Sequence, residues 1–229
     1  MDRIATSTGA RRMRIYHFID AKWGLDDIRQ RRLKISRIGE LNDPFEFLAF
    51  SARDKDVRRA FQQTKEEISK TKGILCFSKN WRNPLLWSHY ADSHRGLCLG
   101  FEIKTERLDK IRYISHRPEP DLEILSRSDG TEEKYMQTIL GSKFSHWRYE
   151  QEYRLFVELS DLDDASENYF VEFGPEMELK EIFVGEFSTL RRGDLTAALG
   201  GLSDDVSIVK TRRAFRSFRV VKQQDRSRW

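Results

Sequence analysis

The sequence predicts an α+β fold with mainly antiparallel, twisted sheets and short flanking helices. Strand-like and helix-like segments intermix along its 229 residues without the regular strand–helix–strand alternation that builds a parallel sheet. After residue 150 strand patterns dominate. No linker rich in Pro, Gly or Ser divides the chain, so we expect one domain at residues 13–221, a basic flexible leader at residues 1–12 and a basic tail at residues 222–229.

In the first half, apolar patterns and turn residues define the elements. Strands are predicted at residues 13–19, 33–36, 73–78 and 97–103. Helices are predicted around residues 25–32, 57–72 and 85–91. The second helix follows from Val57, Phe61 and Ile68, which share one helical face. Asn83 and Pro84 supply the cap and the first-turn proline of the third helix.

A polar stretch near residues 115–130 precedes the strand-rich part of the chain. A helix follows it, with Tyr135, Ile139 and Phe144 predicted on one face. The aromatic and charged residues 147–151 then lead into an apolar strand. Further strands are predicted at residues 169–173, 181–185, 206–209 and 215–221, with one helix at residues 188–199 between them.

The composition indicates a globular protein of the cytoplasm. The 15 Phe, 7 Tyr and 5 Trp supply bulky side chains for a core. No run of about 18 apolar residues occurs and the N-terminus lacks a secretion signal, so we expect no membrane partner and a cytoplasmic location. Cys76 and Cys98 lie in separate apolar runs, which predicts two buried, reduced thiols.

Several classes of chemistry lack their sequence signatures. The five histidines form no HxH or HxxxH pair, so we expect no metal site. A GxSxG nucleophile turn and a Gly-rich phosphate loop are both absent. The sequence therefore argues against a serine hydrolase of that kind and against a P-loop nucleotide kinase.

Positive charge is concentrated at both ends of the chain. Residues 1–37 carry ten Lys or Arg against four Asp, and residues 211–229 carry seven against one. Each end is therefore net +6, which leaves the middle at −8 for an overall charge of +4. Such ends suit an acidic partner such as a nucleic acid, because clustered cations attract phosphates. A solvated basic surface is the alternative.

Two glutamates, Glu150 and Glu152, are separated by one residue where the polar segment enters the apolar strand. In an extended backbone alternate side chains share a face, so both carboxylates would point to the same side. Like charges at one place need a cation, a ligand or a shared proton, which is why such pairs often mark chemistry. The alternative is an edge strand whose glutamates meet arginines in water.

Polar side chains also interrupt apolar elements of the first half. His17 lies in the first strand, Ser78 ends the third, and the Trp87 to Tyr90 helix follows. Such residues could form a site. A histidine in a strand can equally be a hydrogen-bonded core residue, and Trp87 and Tyr90 can equally belong to the core.

A series of short blocks resembles a widespread bacterial family of unknown function. The resemblance spans residues 14–185, and its most specific blocks are Asn-Asp-Pro-Phe at 42–45 and Trp-Ser-His-Tyr-Ala at 87–91. The remaining blocks are at residues 16–18, 33–36, 73–78, 100–103 and 149–154. The family description carries no activity.

More distantly, the chain resembles toxin-type ADP-ribosyltransferases. His17, Ser78, Trp87, Tyr90 and Glu152 match the order in which those enzymes place their site residues. The Glu-x-Glu at 150–152 is similar to that of transferases that use both acids, although no Ser-Thr-Ser follows Phe77. The resemblance implies an ADP-ribosyltransferase-like fold, with NAD as the substrate and no metal.

The resemblance also implies a role for each residue. Glu152 would stabilise the positive charge on the ribose as its bond to nicotinamide breaks, and Glu150 would orient the acceptor or take its proton. His17 would bind the adenosine ribose or the phosphates. Trp87 and Tyr90 would stack on nicotinamide. Further cofactor-binding residues would be Ser36, Asn42, Ser78 and His89.

The resulting hypothesis is a bacterial toxin or anti-phage effector that transfers ADP-ribose from NAD to a nucleic acid or protein acceptor. An antitoxin or a chaperone is a possible partner. Two alternatives stay open at this point. One is a non-enzymatic nucleic-acid or protein-binding module of a defence system, and the other is a metal-independent nuclease that uses His17 or His89 with Glu152.

Overall fold

The computed structural model describes residues 11–46, 51, 53–127, 129–160, 162–163 and 167–229. Within these residues the strands, in chain order, are β1 Arg12–Ile19, β2 Arg32–Lys34, β3 Ser36–Arg37, β4 Lys72–Ser78, β5 Leu97–Lys104, β6 Asp109–Lys110, β7 Arg112–Ile114, β8 Ser142–Phe144, β9 Glu152–Glu158, β10 Leu162–Asp163, β11 Asn168–Glu172, β12 Met177–Val184, β13 Ser207–Arg213 and β14 Val220–Lys222. The α-helices are α1 Ala21–Gln30, α2 Lys55–Thr71, α3 Pro84–Tyr90, α4 Leu122–Leu125, α5 Thr131–Leu140 and α6 Arg192–Leu199.

One large sheet carries most of the described strands, in the order β14-β13-β12-β5-β1-β4-β9-β6, with β3 on the side of β4. All pairings in it are antiparallel except that of β12 with β13. The predicted α+β class with a mainly antiparallel sheet is therefore confirmed. Residues 1–10 of the predicted leader lie outside the described part of the chain.

Strands β1, β4 and β9 lie side by side and bring distant residues together. Tyr16 of β1 is opposite Ser78 of β4, and Ser78 is opposite Glu152 of β9. β1 pairs with β5 along its whole length but with β4 at this one position. Strands β1 and β4 therefore separate beyond Tyr16. His17 of β1 bridges the gap between them by donating from Nδ1 to the Cys76 carbonyl of β4 at 3.0 Å.

The main core lies between the sheet and helices α1 and α6. Its buried members include Ile15, Phe101, Ile182 and Leu195. β5 is buried along most of its length because β1 and β12 flank it on both sides. Burying an aliphatic or aromatic side chain of this size stabilises the fold by roughly 1.5–3 kcal/mol.

A smaller core cluster packs α3 on the sheet. Trp81 stacks on Phe183 with ring centroids 4.2 Å apart, and Trp87 meets the edge of Phe18 at 5.4 Å. Asn83 caps α3 by accepting from the Leu85 amide at 3.0 Å, as its sequence predicts. α3 is thereby held in a defined orientation beside β1 and β9.

Several element boundaries differ from the prediction. α1 begins four residues earlier than expected, because Asp20 caps it by accepting from the Trp23 amide. α5 ends at Leu140, and Phe144 belongs to β8 rather than to the helix face predicted for it. Residues 214–219 form a loop, so β14 covers only the last part of the strand predicted at 215–221.

The end of the chain stays close to the domain. Trp229 packs against the main core, and the Arg192 guanidinium lies 4.7 Å from the centroid of its ring. Residues 222–229, predicted as a basic tail, begin with the last residue of β14 and include this anchor.

Candidate functional site

A cavity of about 250 Å³ lies where β1, β4 and β9 meet α3 and residues 36–46. Seven of the nine predicted site residues line it: His17, Ser36, Asn42, Ser78, Tyr90, Glu150 and Glu152. Its apolar lining includes Phe18 and Leu86. Residues that are far apart in the sequence thus share one concave surface, as expected for a ligand site.

Glu150 does not lie in an extended strand, which corrects the geometry predicted for the pair. It ends a 3₁₀ helix, Ser145–Glu150, and Gln151 has a left-handed φ of 47° before β9 starts at Glu152. Ser78 holds this turn by donating from its hydroxyl to the Glu150 carbonyl at 2.6 Å. The two carboxylates still meet, because a buried cation lies between them.

That cation is the ammonium group of Lys143. Its Nζ lies 2.6 Å from Glu150 Oε2, 3.0 Å from Glu152 Oε2 and 3.2 Å from Glu46 Oε1. Burial lowers the pKa of Lys143, but the three surrounding carboxylates outweigh burial and hold the pKa above its usual value. Lys143 is therefore charged at neutral pH.

Arg154 completes the cluster from β9. Its Nε donates to Glu152 Oε1 at 2.6 Å, and its Nη2 lies 2.8 Å from both oxygens of Glu46. Nη1 donates to the Leu140 carbonyl at 3.1 Å. The five charged residues of this cluster are between 0 and 6% exposed, so their charges are compensated by one another rather than by water.

The pKa values of the two glutamates of the original pair are shifted in opposite directions. Burial raises the pKa of Glu150, and the hydrogen bonds from Lys143 and Tyr90 offset this only in part. Burial also acts on Glu152, but Arg154 and Lys143 outweigh it and hold the pKa of Glu152 below its usual value. Neighbouring carboxyl groups whose pKa values are pushed apart are suited to different roles in acid–base chemistry.

Tyr90 contacts Glu150 directly. Its hydroxyl donates to Glu150 Oε1 at 2.6 Å and accepts from Asn42 Nδ2 at 2.9 Å. Burial and the charge of Glu150 raise the pKa of Tyr90, so the hydroxyl is neutral. The chain Asn42–Tyr90–Glu150 runs along one side of the cavity and fixes one oxygen of the carboxylate.

His17 contributes a neutral imidazole. Burial lowers the pKa of His17, and its Nδ1 must carry the proton because a carbonyl oxygen only accepts. Nε2 is then the acceptor nitrogen of the ring. The neighbouring Cys76 is no activated nucleophile, since burial raises the pKa of its thiol well above the usual value.

Two predicted residues do not line the cavity. Trp87 is completely buried, and its indole N–H donates to the Trp81 carbonyl at 2.7 Å. We therefore correct its assignment from nicotinamide stacking to core packing. His89 is exposed on α3, with its ring 6.1 Å from that of Tyr90 and 6.2 Å from that of Tyr149.

Sequence reasoning missed Glu46, Lys143 and Arg154. Glu46 follows the Asn-Asp-Pro-Phe block and Arg154 follows the glutamate pair by two residues, so both lay next to residues that were singled out. Lys143 had no such signal, because a single lysine before a phenylalanine is typical of a solvent-exposed position. The charges of Glu150 and Glu152 predicted a compensating cation in general, but not which residue supplies it.

The described residues contain no group of three or more His, Cys, Asp or Glu placed to hold a metal ion. Among the helices of the described part, none is both long and apolar enough to cross a membrane.

Comparison with known proteins bears on the middle of the chain. No curated protein and no solved structure gives a match. Residues 86–155 match the family model described as a protein of unknown function, DUF2971. This segment contains Tyr90 and four of the five charged residues of the cluster, Lys143, Glu150, Glu152 and Arg154, whereas Glu46 lies outside the part that is similar to DUF2971, a family of unknown function.

Proposed function

We propose that the cavity binds NAD and that the protein is an ADP-ribosyltransferase, a bacterial toxin or anti-phage effector that modifies a nucleic acid or a protein. One observation carries the proposal. His17, Tyr90 and Glu152, which the sequence resemblance draws from three separate segments, line the same cavity. Had these three residues lain on different faces of the sheet, they could not have contacted the same NAD molecule.

The size of the cavity limits which part of NAD it can hold. Pockets that enclose a whole drug-sized ligand have volumes of about 300–1,000 Å³, and this one has about 250 Å³. It suits the nicotinamide ribose end, with the adenosine end at the mouth. Phe18 and Leu86 offer apolar surface to the nicotinamide ring, and the polar groups of Tyr90 and Glu150 face the ribose.

The reaction breaks the bond between nicotinamide and C1′ of the ribose, and nicotinamide leaves as a neutral molecule. The acceptor forms a new bond to C1′ and loses a proton. Positive charge that develops on the ribose is stabilised by nearby carboxylates. The acceptor proton goes to a base within hydrogen-bond reach.

The geometry divides these tasks between the two glutamates. Glu150 has a raised pKa, and among the described residues its carboxylate accepts hydrogen bonds from two side chains, Lys143 and Tyr90, so it suits proton transfer. Both oxygens of Glu152 accept from Arg154, and one of them also accepts from Lys143. Glu152 thus supplies fixed negative charge and positions Lys143. Glu150 is the base.

The direct test is incubation of the protein with NAD labelled in its adenylate part, together with total RNA, DNA and protein extract. Release of nicotinamide and uptake of label are measured. We expect Glu150→Gln to lower transfer at least 100-fold, the lower end of general base effects. Glu158→Gln, at an exposed carboxylate of β9 that does not line the cavity, is the matched control and should change transfer less than threefold.

The outcomes separate the proposed function from its alternatives. Wild-type protein that releases no nicotinamide in any extract, or full transfer by Glu150→Gln, would show that the assignment is wrong. Cleavage of nucleic acid without NAD would favour the nuclease alternative. That alternative is less suited to the site, since His89 does not line the cavity and Arg154 occupies both oxygens of Glu152.

A further inference from the structure

The loop at residues 214–219, between β13 and β14, presents two aromatic rings to water. Phe215 is 90% exposed and Phe218 is 98% exposed. Exposed rings are unfavourable in water, and a loop whose only task is to join two strands does not need them.

The loop is held in a defined conformation. The Ala214 amide donates to the Arg219 carbonyl at 2.9 Å and closes the loop. At its base, the Val220 amide donates to the Arg82 carbonyl at 2.9 Å, which ties the loop to the segment before α3. The two rings are therefore displayed by an ordered hairpin and belong to the folded surface.

Cations surround the rings. Within the described residues, five of them form no ion pair with a carboxylate: Arg82, Arg212, Arg216, Arg219 and Lys222. Arg213 is the exception, because it pairs with Glu186 at 2.9 Å. A patch with this excess of positive charge attracts a polyanion.

The surface is also concave. Arg82, Arg212, Phe215 and Lys222 line a groove of about 420 Å³. The Arg212 guanidinium lies 4.5 Å from the centroid of the Phe215 ring, so the two planes form a platform at its wall. Unpaired bases stack on aromatic rings and on arginine planes, while lysine and arginine bind the phosphates between them.

We propose that the β13–β14 loop and its groove bind single-stranded nucleic acid, with bases stacked on Phe215 and Phe218. A duplex fits less well, because its bases are already stacked and paired. A single-stranded nucleic acid supplies both components that the surface suits, because its phosphates meet the cations and its regularly spaced bases offer flat faces to both rings. The proposal concerns binding alone and does not rest on the proposed transferase activity.

The position of the groove relates it to the cavity. Arg82 lies two residues before α3, and Leu86 and Tyr90 of the same helix line the cavity. A helix of seven residues is about 10 Å long. The groove and the cavity therefore adjoin opposite ends of one short segment, Arg82 to Tyr90.

The test is a binding titration of the full chain with fluorescently labelled 12-nucleotide RNA and DNA, followed by anisotropy at several salt concentrations. Phe215→Ser with Phe218→Ser should weaken binding at least tenfold with little change in the salt slope, because stacking is removed and charge is kept. Arg216→Ala with Arg219→Ala should reduce the salt slope by about 1.4, as expected for two lost phosphate contacts at about 0.7 each.

Control variants separate these effects from general changes. Trp23→Ser removes another exposed aromatic ring, and Lys55→Ala with Arg59→Ala removes two exposed cations from α2. Both should bind the oligonucleotide within twofold of wild type. Thermal unfolding should be unchanged in all four variants. Glu150→Gln should bind normally, so loss of transferase activity and loss of binding are distinguishable.

Four results would overturn the proposal. The first is wild-type protein that binds neither oligonucleotide, and the second is equal binding by the Phe215 and Phe218 double variant. The third is binding to vesicles with anionic lipid that depends on both rings while the oligonucleotides stay unbound, which would identify the loop as a membrane contact. Self-association that depends on both rings, without oligonucleotide binding, would likewise replace the proposal with a protein interface.

Discussion

The Tyr90 hydroxyl donates a 2.6 Å hydrogen bond to Oε1 of Glu150. This bond joins the end of α3 to the turn before β9. The other oxygen of the same carboxylate accepts from Lys143, also at 2.6 Å. Burial raises the pKa of Glu150 while these two donors oppose the change, so the protonation of Glu150 depends on the balance between them.

Tyr90→Phe tests this balance at one atom. The variant keeps the ring and removes the donor, so the pKa of Glu150 should rise further above its usual value. If Glu150 is the base, the acidic limb of the pH–rate profile for NAD consumption moves to higher pH. The pH dependence of nicotinamide release by wild type and variant is the measurement.

The control for Tyr90→Phe is Tyr149→Phe, which alters a neighbouring tyrosine whose ring lies 6.2 Å from His89. Its acidic limb should coincide with that of wild type. A Tyr90→Phe profile that is lower at every pH but not displaced would mean that Tyr90 acts on substrate binding and leaves Glu150 unaffected.

Lys143→Met tests the stability of the charge cluster. The variant leaves three buried carboxylates with Arg154 as their remaining cation, so we expect the free energy of unfolding to fall by about 3–5 kcal/mol at pH 8. Without Lys143 the folded-state pKa values of Glu150 and Glu152 should rise, because both carboxyls lose a neighbouring cation. The loss of stability should therefore shrink as the pH falls and these two carboxyls take up protons in the folded variant.

A second variant isolates the electrostatic part of that loss. Lys143→Met combined with Glu150→Gln removes one of the unpaired charges, and stability at pH 8 should recover by at least about 1 kcal/mol. Lys110→Met, at an exposed lysine of β6, should change stability by less than about 0.5 kcal/mol. No recovery in the double variant would show that packing, and not charge, causes the loss.

Local signals account for the part of the fold that the sequence predicted. Asn83 and Pro84 mark the start of α3 in the sequence itself, and α3 begins there. The pattern at residues 215–221 was strand-like, but an antiparallel return from β13 to β14 needs a loop at 214–219. The pattern of apolar and polar residues along one segment does not predict where the loop ends and β14 begins, because the length of the loop depends on how β14 pairs with β13.

In the candidate site, too, some features were predicted from the sequence and others depend on contacts between distant segments. Seven of the residues that line the cavity were predicted from a resemblance in residue order, whereas Glu46, Lys143 and the geometry of Glu150 were not. Gln151 adopts φ 47°, which is uncommon for a residue other than glycine, and Ser78 from 72 residues away holds the turn. Glu46 and Arg154 meet across 108 positions of sequence. Contacts of this range follow from the order of strands and not from local pattern.

Asp27 should make stability depend on pH in the opposite sense from most acids. It is 5% exposed on α1, and its Oδ2 has no hydrogen-bond partner in the part of the chain described. Burial, with a contribution from Asp26, raises the pKa of Asp27 to about 7. Between pH 4 and 7 the folded chain then keeps a proton that the unfolded chain has released, so this group makes the fold less stable as the pH rises.

Asp27→Asn removes the titrating group and should stabilise the protein by about 2 kcal/mol more at pH 8 than at pH 5. Urea unfolding at the two pH values measures the difference. Asp204→Asn, at an exposed residue of a turn far from Asp27 in the sequence, should change both values by less than about 0.5 kcal/mol. An equal gain at both pH values would attribute the effect to helix propensity instead of titration.

Gly185 fixes the end of β12 against the turn that follows α3. Its amide donates to the Gly96 carbonyl at 2.9 Å, and a Cβ at this position would overlap the His94 carbonyl oxygen. Backbone atoms cannot move aside as a flexible side chain can. Gly185→Ala should therefore lower the free energy of unfolding by about 3 kcal/mol.

The matched substitution is Gly193→Ala. Gly193 is exposed in the first turn of α6, and no atom lies within 4 Å of a Cβ built there. Alanine is the better helix former, so Gly193→Ala should raise stability by up to about 1 kcal/mol. In thermal unfolding, the midpoint temperature should therefore fall for Gly185→Ala and rise for Gly193→Ala. A Gly185→Ala protein as stable as wild type would mean that the turn after α3 can yield, and that the position of Tyr90 does not depend on this backbone contact.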